Sequence, residues 1–414
     1  MTKKRRARTT VALTAGILLV MGRASGAQDV ERRAISLDEA LQAALALPDL
    51  KAAEAALRVA EAGIRLAGRW PDPSFSFATR SITAKESYAL TVPLPWPGRG
   101  ARVAVAKAEA AVVGTDKEAA RLIGRRAMRL AWFTLAARED LESAANDRMS
   151  RMKRTSEAVT ALYDAGRVAL VESSRARADA ALAVADASLT EQEERIAESV
   201  LRRLMSIESG QRLRVVRPLP VFPSDPPPDD RDLEQSIAIA LVRSPAARAA
   251  EARLKAAEAS LRLAQALRFP GLAVDVGADR NDPTQPGTDR SIGVSLTVPL
   301  SAGPGVLVAK AERDRATALR DQTKREIADQ VEQAWRTVKA SGVRYQSLTA
   351  EGLPAALQAA DLAQLAYREG RSDIFRVLDA ERTLAETRAT VAEAYLAWGV
   401  AQSELLAAVG EEER

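Results

Sequence analysis

The chain has 414 residues, with 60 Lys and Arg against 55 Asp and Glu, and it contains no cysteine and no histidine. The absence of cysteine excludes disulfide bonds. Without histidine, the commonest metal ligand and the commonest acid–base side chain are missing. We therefore expect no catalytic residues, no metal site and no cofactor, and a protein that is not an enzyme.

The first 27 residues have the pattern of a secretory signal peptide. Basic residues from Lys3 to Arg8 precede an apolar stretch, Val11 to Val20, and the small residues ending at Ala27 suit signal-peptidase cleavage. The apolar stretch is too short to span a bilayer as a helix, and a retained amphipathic anchor is the alternative interpretation. Removing the segment 1–27, which has six basic and no acidic residues, leaves 54 Lys and Arg against 55 acidic residues and moves the net charge from +5 to −1. We therefore expect no nucleic acid as a partner.

After this segment the sequence repeats itself at a spacing of about 203–206 residues. The pentapeptide from Leu90 to Leu94 returns from Leu296 to Leu300. Three further anchors recur in order, pairing Lys107 with Lys310, Trp132 with Trp335, and Tyr163-x-x-Gly166-Arg167 with Tyr367-x-x-Gly370-Arg371. The sequence therefore predicts two structural repeats, 28–210 and 232–414, joined by a proline-rich connector over 211–231.

In each repeat the sequence predicts the same order of elements: a helix, two short strands, a very long helix, a turn and a further helix. Apolar positions recur at helical spacing, Ser36 is suited to cap the first helix, and a glycine ends each long helix. The predicted helices cover 36–68, 101–165 and 169–207, then 233–267, 306–369 and 372–409. The first long helix would measure about 100 Å, so two shorter helices stacked end to end fit beside it.

Four short segments between the helices alternate apolar with small or polar residues. They are Phe75–Phe77, Tyr88–Leu94, Leu272–Ala278 and Ile292–Leu300. Such alternation is typical of transmembrane barrel strands, although a soluble half-buried hairpin has the same pattern. No apolar run beyond the signal segment approaches the roughly 18 residues of a transmembrane helix. A membrane protein without such a helix must be a β-barrel.

Four strands cannot close a barrel, and open sheet edges are not tolerated in lipid. Two copies of the chain would give about eight strands, which fill their own interior, whereas three copies would give twelve and leave a lumen. On geometry alone we therefore expect a homotrimer.

The whole chain after the signal segment resembles the TolC-like outer-membrane efflux channel family. The resemblance is carried by the order of elements and by the stretch from Tyr367 to Ala380, YREGRSDIFRVLDA. Within that family, VPLPWPGRGAR from Val92 to Arg102 is similar to the branch that serves heavy-metal efflux pumps. The fold so implied is mainly α with a small β part. Duplicated antiparallel helical hairpins form an α-barrel, and four strands per chain enter a shared twelve-stranded barrel in a trimer.

The same resemblance implies a location, a function and partners. The channel would sit in the outer-membrane lipid of a Gram-negative bacterium, with a helical tunnel in the periplasm. It would passively conduct substrates, metal cations or drugs, from a periplasmic adaptor protein and an inner-membrane pump, expected to be of the resistance-nodulation-division type. A non-channel periplasmic helical scaffold or adaptor is the alternative function, and the four alternating segments argue against it.

The two glycine turns between helices would form the periplasmic tips of the tunnel. The resemblance implies that they dock the adaptor, through Tyr163, Gly166, Arg167, Tyr367, Gly370 and Arg371. A plain helix C-cap is the alternative interpretation of each glycine.

The resemblance also implies a periplasmic gate near the second tip, at Glu172, Ser372, Arg376 and Asp379. The family has two carboxylates in an acidic ring here, but this chain has Arg376 in place of the first. We therefore expect three copies of Arg376 beside three of Asp379 to form ion pairs and not a purely anionic ring. A latch of Glu172 with Tyr367 and Arg371 would close the tunnel, since Ser372 occupies the position of the expected arginine. Solvated surface charge is the alternative interpretation, because exposed pairs are weak.

Overall fold

The computed structural model describes residues 32–80, 85–208, 210–216, 230–282, 285–300 and 302–410. The predicted signal peptide and most of the predicted connector, residues 217–229, lie outside the described residues. The protein is mostly helical with a small proportion of strand, as the sequence predicts.

The two halves of the chain have the same order of long elements. The first half contains β1 (Arg33–Ile35), α1 (Leu37–Ala43), α2 (Pro48–Ala67), β2 (Ser74–Arg80), β3 (Lys85–Pro93), α3 (Arg99–Asp164), α4 (Leu170–Leu204) and β4 (Leu213–Val215). The second half contains α5 (Asp230–Arg243), α6 (Pro245–Ala266), β5 (Gly271–Asp282), β6 (Gln285–Thr297), α7 (Ala302–Ser347), α8 (Leu353–Arg368) and α9 (Ile374–Val409). Both extremely long helices start directly after a sheet hairpin.

Three of the predicted helices are interrupted, each at a proline. The helix predicted at 36–68 breaks before Pro48, and the helix predicted at 233–267 breaks before Pro245. A residue that precedes proline is driven out of the helical conformation, and proline itself starts a helix well. The helix predicted at 306–369 contains a π-helical turn, Leu348–Gly352, just before Pro354, which has no backbone N–H to donate.

The sequence also failed to predict the short strands β1 and β4, which pair in parallel and join the beginning of the first half to its end. Each has only three residues, too few for alternation to be recognised.

The long helix α3 packs along α2 and α4, as its length predicted, and it also contacts α6 and α9 of the second half. A buried cluster on α3, β1, α4 and β4 surrounds Trp132, whose indole N–H donates to the backbone carbonyl of Ile35 at 3.3 Å. Phe133 packs edge-on against Trp132, with ring centroids 5.1 Å apart, and against Tyr395 of α9. This cluster therefore ties the two halves together.

Gly399 on α9 allows this aromatic packing, because an added Cβ would overlap the ring of Phe133. We expect Gly399→Ala to lower the free energy of unfolding by about 1–3 kcal/mol, since the ring must leave a packed position. Gly114→Ala on α3 is the matched control, with no atom within 4 Å of the added Cβ. It should raise stability by about 0.5–1 kcal/mol, because alanine favours a helix interior. Thermal unfolding in detergent measures both, and a change of the same sign in both variants would contradict this explanation.

The remaining strands form one antiparallel sheet in the order β2-β3-β5-β6. The β3–β5 pair joins the hairpins of the two halves, and β2 and β6 are the edges. The pairing register places apolar residues on one face of all four strands: Phe75, Phe77, Tyr88, Leu90, Val92, Leu272, Val274, Val276, Ile292, Val294 and Leu296. Small and polar residues occupy the other face: Ser74, Ser76, Ser87, Ala89, Thr91, Ala273, Asp275, Gly277, Asp279, Ser291, Gly293 and Ser295. The predicted alternation is thus confirmed, over longer strands than predicted.

The apolar face of this sheet is uncovered within one copy of the chain. Ile292 is 83% exposed and Val294 is 72% exposed. Side chains of this kind, aligned across four strands, form a larger apolar surface than a soluble monomer normally leaves open.

None of the helices in the described ranges is both long and apolar enough to cross a membrane.

Candidate functional site

The first predicted docking tip is the turn between α3 and α4. Gly166 has a φ of +70°, in the left-handed region that glycine adopts without strain. Its N–H donates to the carbonyl of Tyr163 at 2.8 Å, and the N–H of Arg167 donates to the carbonyl of Leu162 at 2.8 Å. These two bonds are a Schellman motif, which satisfies the last carbonyls of a helix and reverses the chain.

The second predicted tip, between α8 and α9, has the same geometry. Gly370 has a φ of +71°, and its N–H donates to the carbonyl of Tyr367 at 2.9 Å. The N–H of Arg371 donates to the carbonyl of Ala366 at 2.8 Å. No described atom lies within 4 Å of the position that a Cβ would take at Gly166 or Gly370. The backbone conformation, and not crowding, therefore requires glycine at both tips.

The two tips differ immediately after the turn. Asp373 caps α9 by accepting the N–H of Arg376 at 3.0 Å, whereas Ala169, at the same place before α4, has no side-chain cap. Ile374 is fully buried against α3 and α4, but its counterpart Leu170 is 54% exposed. The first tip therefore presents an apolar side chain that the second tip uses for internal packing.

The predicted gate residues Arg376 and Asp379 are both exposed near the start of α9. Within the part of the chain that the structure describes, no ion pair joins them in one copy, and the pairing expected among three copies stays a prediction. The two side chains are three residues apart on the exposed surface of one helix, where an ion pair gains little over solvation by water.

The predicted latch residues are only partly together. Tyr367 is half-buried, and burial raises the pKa of its hydroxyl, with the nearby charge of Glu172 raising it further. The hydroxyl has no hydrogen-bond partner among the described residues. Arg371 lies with Nη1 3.2 Å from Oε2 of Glu369 on its own turn, and the Ser372 hydroxyl donates to the carbonyl of Asp373 at 3.5 Å. In one copy, therefore, Tyr367 and Glu172 are neighbours and Arg371 is paired elsewhere.

Two contacts between the halves of the chain were not predicted from the sequence. The guanidinium of Arg175 on α4 lies 4.9 Å from the ring centroid of Phe375 on α9, a cation–π distance. Farther from the tips, Arg151 of α3 lies 3.1 Å from the carboxylate of Glu381, which is only 3% exposed. Burial raises the pKa of Glu381, and the arginine charge opposes that rise. Both contacts join different halves of the chain, so no local pattern indicates them.

A third feature that sequence analysis missed is a buried charged cluster at the middle of the helical region. Arg212, just before β4, lies 2.9 Å from Glu194 and 2.8 Å from Glu198, and both carboxylates on α4 are fully buried. Glu198 also accepts the backbone N–H of Leu213 at 3.0 Å. Burial raises the pKa of Glu194, and the charges of Arg212 and Arg32 lower it. The cluster thus fixes β4 to α4.

Comparison with known proteins connects this architecture to a family. Residues 237–411 match the family described as outer membrane efflux protein. The cobalt-zinc-cadmium resistance protein CzcC of Cupriavidus metallidurans is 26% identical over 367 residues, which cover 84% of each chain.

Solved structures share the fold over nearly the whole chain. CusC has a TM-score of 0.76 at 17% identity, covering 91% of this chain and 92% of CusC. The outer membrane protein VceC of Vibrio cholerae has a TM-score of 0.73 at 18% identity, covering 90% of this chain and 96% of VceC. The chain is therefore similar to the outer membrane efflux protein family over residues 237–411, and it shares the fold of these solved outer-membrane channels.

Proposed function

We propose that this chain is the outer-membrane channel subunit of a tripartite efflux system and that it passively conducts substrates to the exterior. The observation that carries this proposal is the four-stranded sheet with one exposed apolar face, attached to long helical hairpins. A barrel strand in a membrane presents apolar side chains to lipid, whereas a periplasmic scaffold would expose this apolar face to water. The similarity of the chain to the outer membrane efflux protein family and to CzcC supports the same function.

The unpaired edges of the sheet support a shared barrel in a homotrimer. Among the described residues, backbone groups on β2 and β6 have no strand partner on their outer sides, and lipid supplies no water to satisfy them. Pairing β2 of one copy with β6 of the next closes the ring, and three copies give twelve strands around a lumen. Exposed aromatic residues at the junctions of sheet and helices, Trp70, Trp96 and Phe269, suit a membrane–water boundary.

The native mass of the protein tests this proposal. The mature protein would be extracted in mild detergent from isolated outer membranes and weighed as an intact complex. We expect a mass of three chains in that fraction. A soluble periplasmic monomer would instead overturn the shared barrel and favour the helical scaffold.

The partners and the substrate follow from the family. We propose a periplasmic adaptor and an inner-membrane pump of the resistance-nodulation-division type, in the envelope of a Gram-negative bacterium. The likeness to CzcC, named for resistance to cobalt, zinc and cadmium, together with the stretch from Val92 to Arg102, favours metal cations over drugs. Metal tolerance of a deletion strain with and without the gene tests this, and unchanged tolerance to all three metals would contradict it.

We propose that the two tips dock the adaptor through Tyr163, Gly166, Arg167, Tyr367, Gly370 and Arg371. Changing Gly166 and Gly370 together to alanine should cost about 1–2 kcal/mol at each left-handed turn, distort both tips and reduce efflux-dependent tolerance. Asparagine tolerates this conformation, so the double asparagine variant is the matched control and should retain tolerance. Equal loss in both variants, at equal trimer levels, would contradict a role for the turn geometry.

We propose that Glu172 and Tyr367 hold the tunnel closed and that Arg371, which is exposed, reaches the adjacent copy, with Ser372, Arg376 and Asp379 around the entrance. Glu172→Ala and Tyr367→Phe should each raise conductance in a planar bilayer, since each removes a group that can bridge copies. Tyr163→Phe is the matched control, because Tyr163 is the counterpart of Tyr367 at the first tip. Conductance unchanged by Glu172→Ala would refute the latch.

A further inference from the structure

Within the proposed barrel, the small and polar face of the sheet surrounds the lumen, because the apolar face must contact lipid. The strand register divides this face into rows that run across the sheet. Starting from the end attached to the helices, the first rows contain Gly271 with Thr297, then Pro93, Ala273 and Ser295. These rows have no charged residue.

The next row contains Ser74, Thr91, Asp275 and Gly293. Asp275 is its one charged member, and the row beyond it, with Ser76, Ala89, Gly277 and Ser291, is again uncharged. The carboxylate is held by neighbours on both sides: the Thr91 hydroxyl donates to Oδ1 at 2.6 Å, and Ser295 is also hydrogen-bonded to it. No ion pair of Asp275 occurs among the described residues. The hydroxyl groups therefore fix the position of the carboxylate, and no described cation neutralises its charge.

Nearer the hairpin tips, the same face contains several charged residues, including Asp279 and its register partner Asp289. Lys85 lies 3.0 Å from Asp279 and 2.8 Å from Asp282, so these carboxylates share a cation. At the opposite end of the molecule, each copy exposes a cation, Arg376, and a carboxylate, Asp379, near the start of α9. Asp275 is thus the one charged residue in the rows between the helices and the charged rows near the tips.

On the basis of the proposed function, we propose that Asp275 makes the exit barrel selective for cations. Three copies would place three carboxylates at one level of the lumen, among glycine, serine and threonine residues that leave the passage wide. A ring of fixed negative charge raises the local concentration of cations and excludes anions. In a wide lumen its reach depends on the Debye length, about 30 Å at 0.01 M salt and about 10 Å at 0.1 M. The selectivity is therefore strongest in dilute salt.

The reversal potential of the trimer in a planar bilayer, under a potassium chloride gradient, tests this inference. We expect wild-type protein to prefer potassium at low salt, and Asp275→Asn to lower the potassium-to-chloride permeability ratio several-fold, with a smaller effect at high salt. Glu86→Gln is the matched control, because it removes one carboxylate from the opposite face of β3, where Tyr88 donates to it at 3.0 Å. It should leave the ratio unchanged.

A second variant adds charge to the same row. No described atom lies within 4 Å of a Cβ added at Gly293, so Gly293→Asp should fold. It should raise the potassium-to-chloride permeability ratio. An Asp275→Asn trimer that conducts with the wild-type reversal potential would overturn the inference and leave the channel function intact. Absence of conductance in every form, wild type included, would overturn the channel function and the inference with it.

Discussion

Val294→Arg is expected to abolish recovery of the trimer from the outer membrane. Val294 lies within edge strand β6, on the apolar face, and is 72% exposed in one copy. If that face contacts lipid, an arginine near the centre of the bilayer costs about 2–4 kcal/mol in each copy. Three copies bear the cost together, so the assembled barrel should fail to accumulate.

Ser295→Arg is the matched control for this prediction. It introduces the same side chain one residue farther along β6, on the opposite face, where Asp275 provides a partner of opposite charge. Trimer should still be recovered, as measured by native mass in the outer-membrane fraction. If both variants assemble equally well, the apolar face does not contact lipid. If both fail, the effect comes from strand propensity and not from the face.

The second large effect is expected at Glu198, in the buried charged cluster. Glu198→Ala removes a carboxylate that lies 2.5 Å from Arg202 and 2.8 Å from Arg212. It also leaves the N–H of Leu213 without its acceptor. Breaking a buried ion pair costs about 3–5 kcal/mol when the remaining charge has no other partner. Because Arg212 keeps Glu194 at 2.9 Å, we expect a loss toward the lower end of that range and a weaker attachment of β4 to α4.

Glu191→Ala on the same helix is the control for this variant. Glu191 pairs with Arg195 at 2.6 Å, but both side chains are exposed, and such pairs contribute about 0.3–0.5 kcal/mol. Thermal unfolding in detergent measures the two losses. Equal destabilisation by the two variants would show that burial of the cluster is unimportant.

Among the candidate site residues, those defined by local turn chemistry lie where the sequence predicts them. Gly166 and Gly370 have left-handed φ angles of +70° and +71° and end their helices in the same motif. The expected pairing of Arg376 with Asp379 among three copies stays a prediction. A turn depends on a few consecutive residues, whereas an ion pair depends on rotamers, solvent and neighbouring copies.

The sequence by itself determined the features whose physics is local: the helices from apolar periodicity, the faces of the strands from alternation, and the tips from glycine. It also contained the prolines at which three helices are interrupted, although the apolar periodicity continues across them and predicted unbroken helices. Only the tertiary structure decided the contacts between distant segments, such as the β3–β5 pair, Arg175 on Phe375, and Arg212 between two buried glutamates. These contacts join residues far apart in sequence, and the packing of the whole chain brings them together, so no local pattern encodes them.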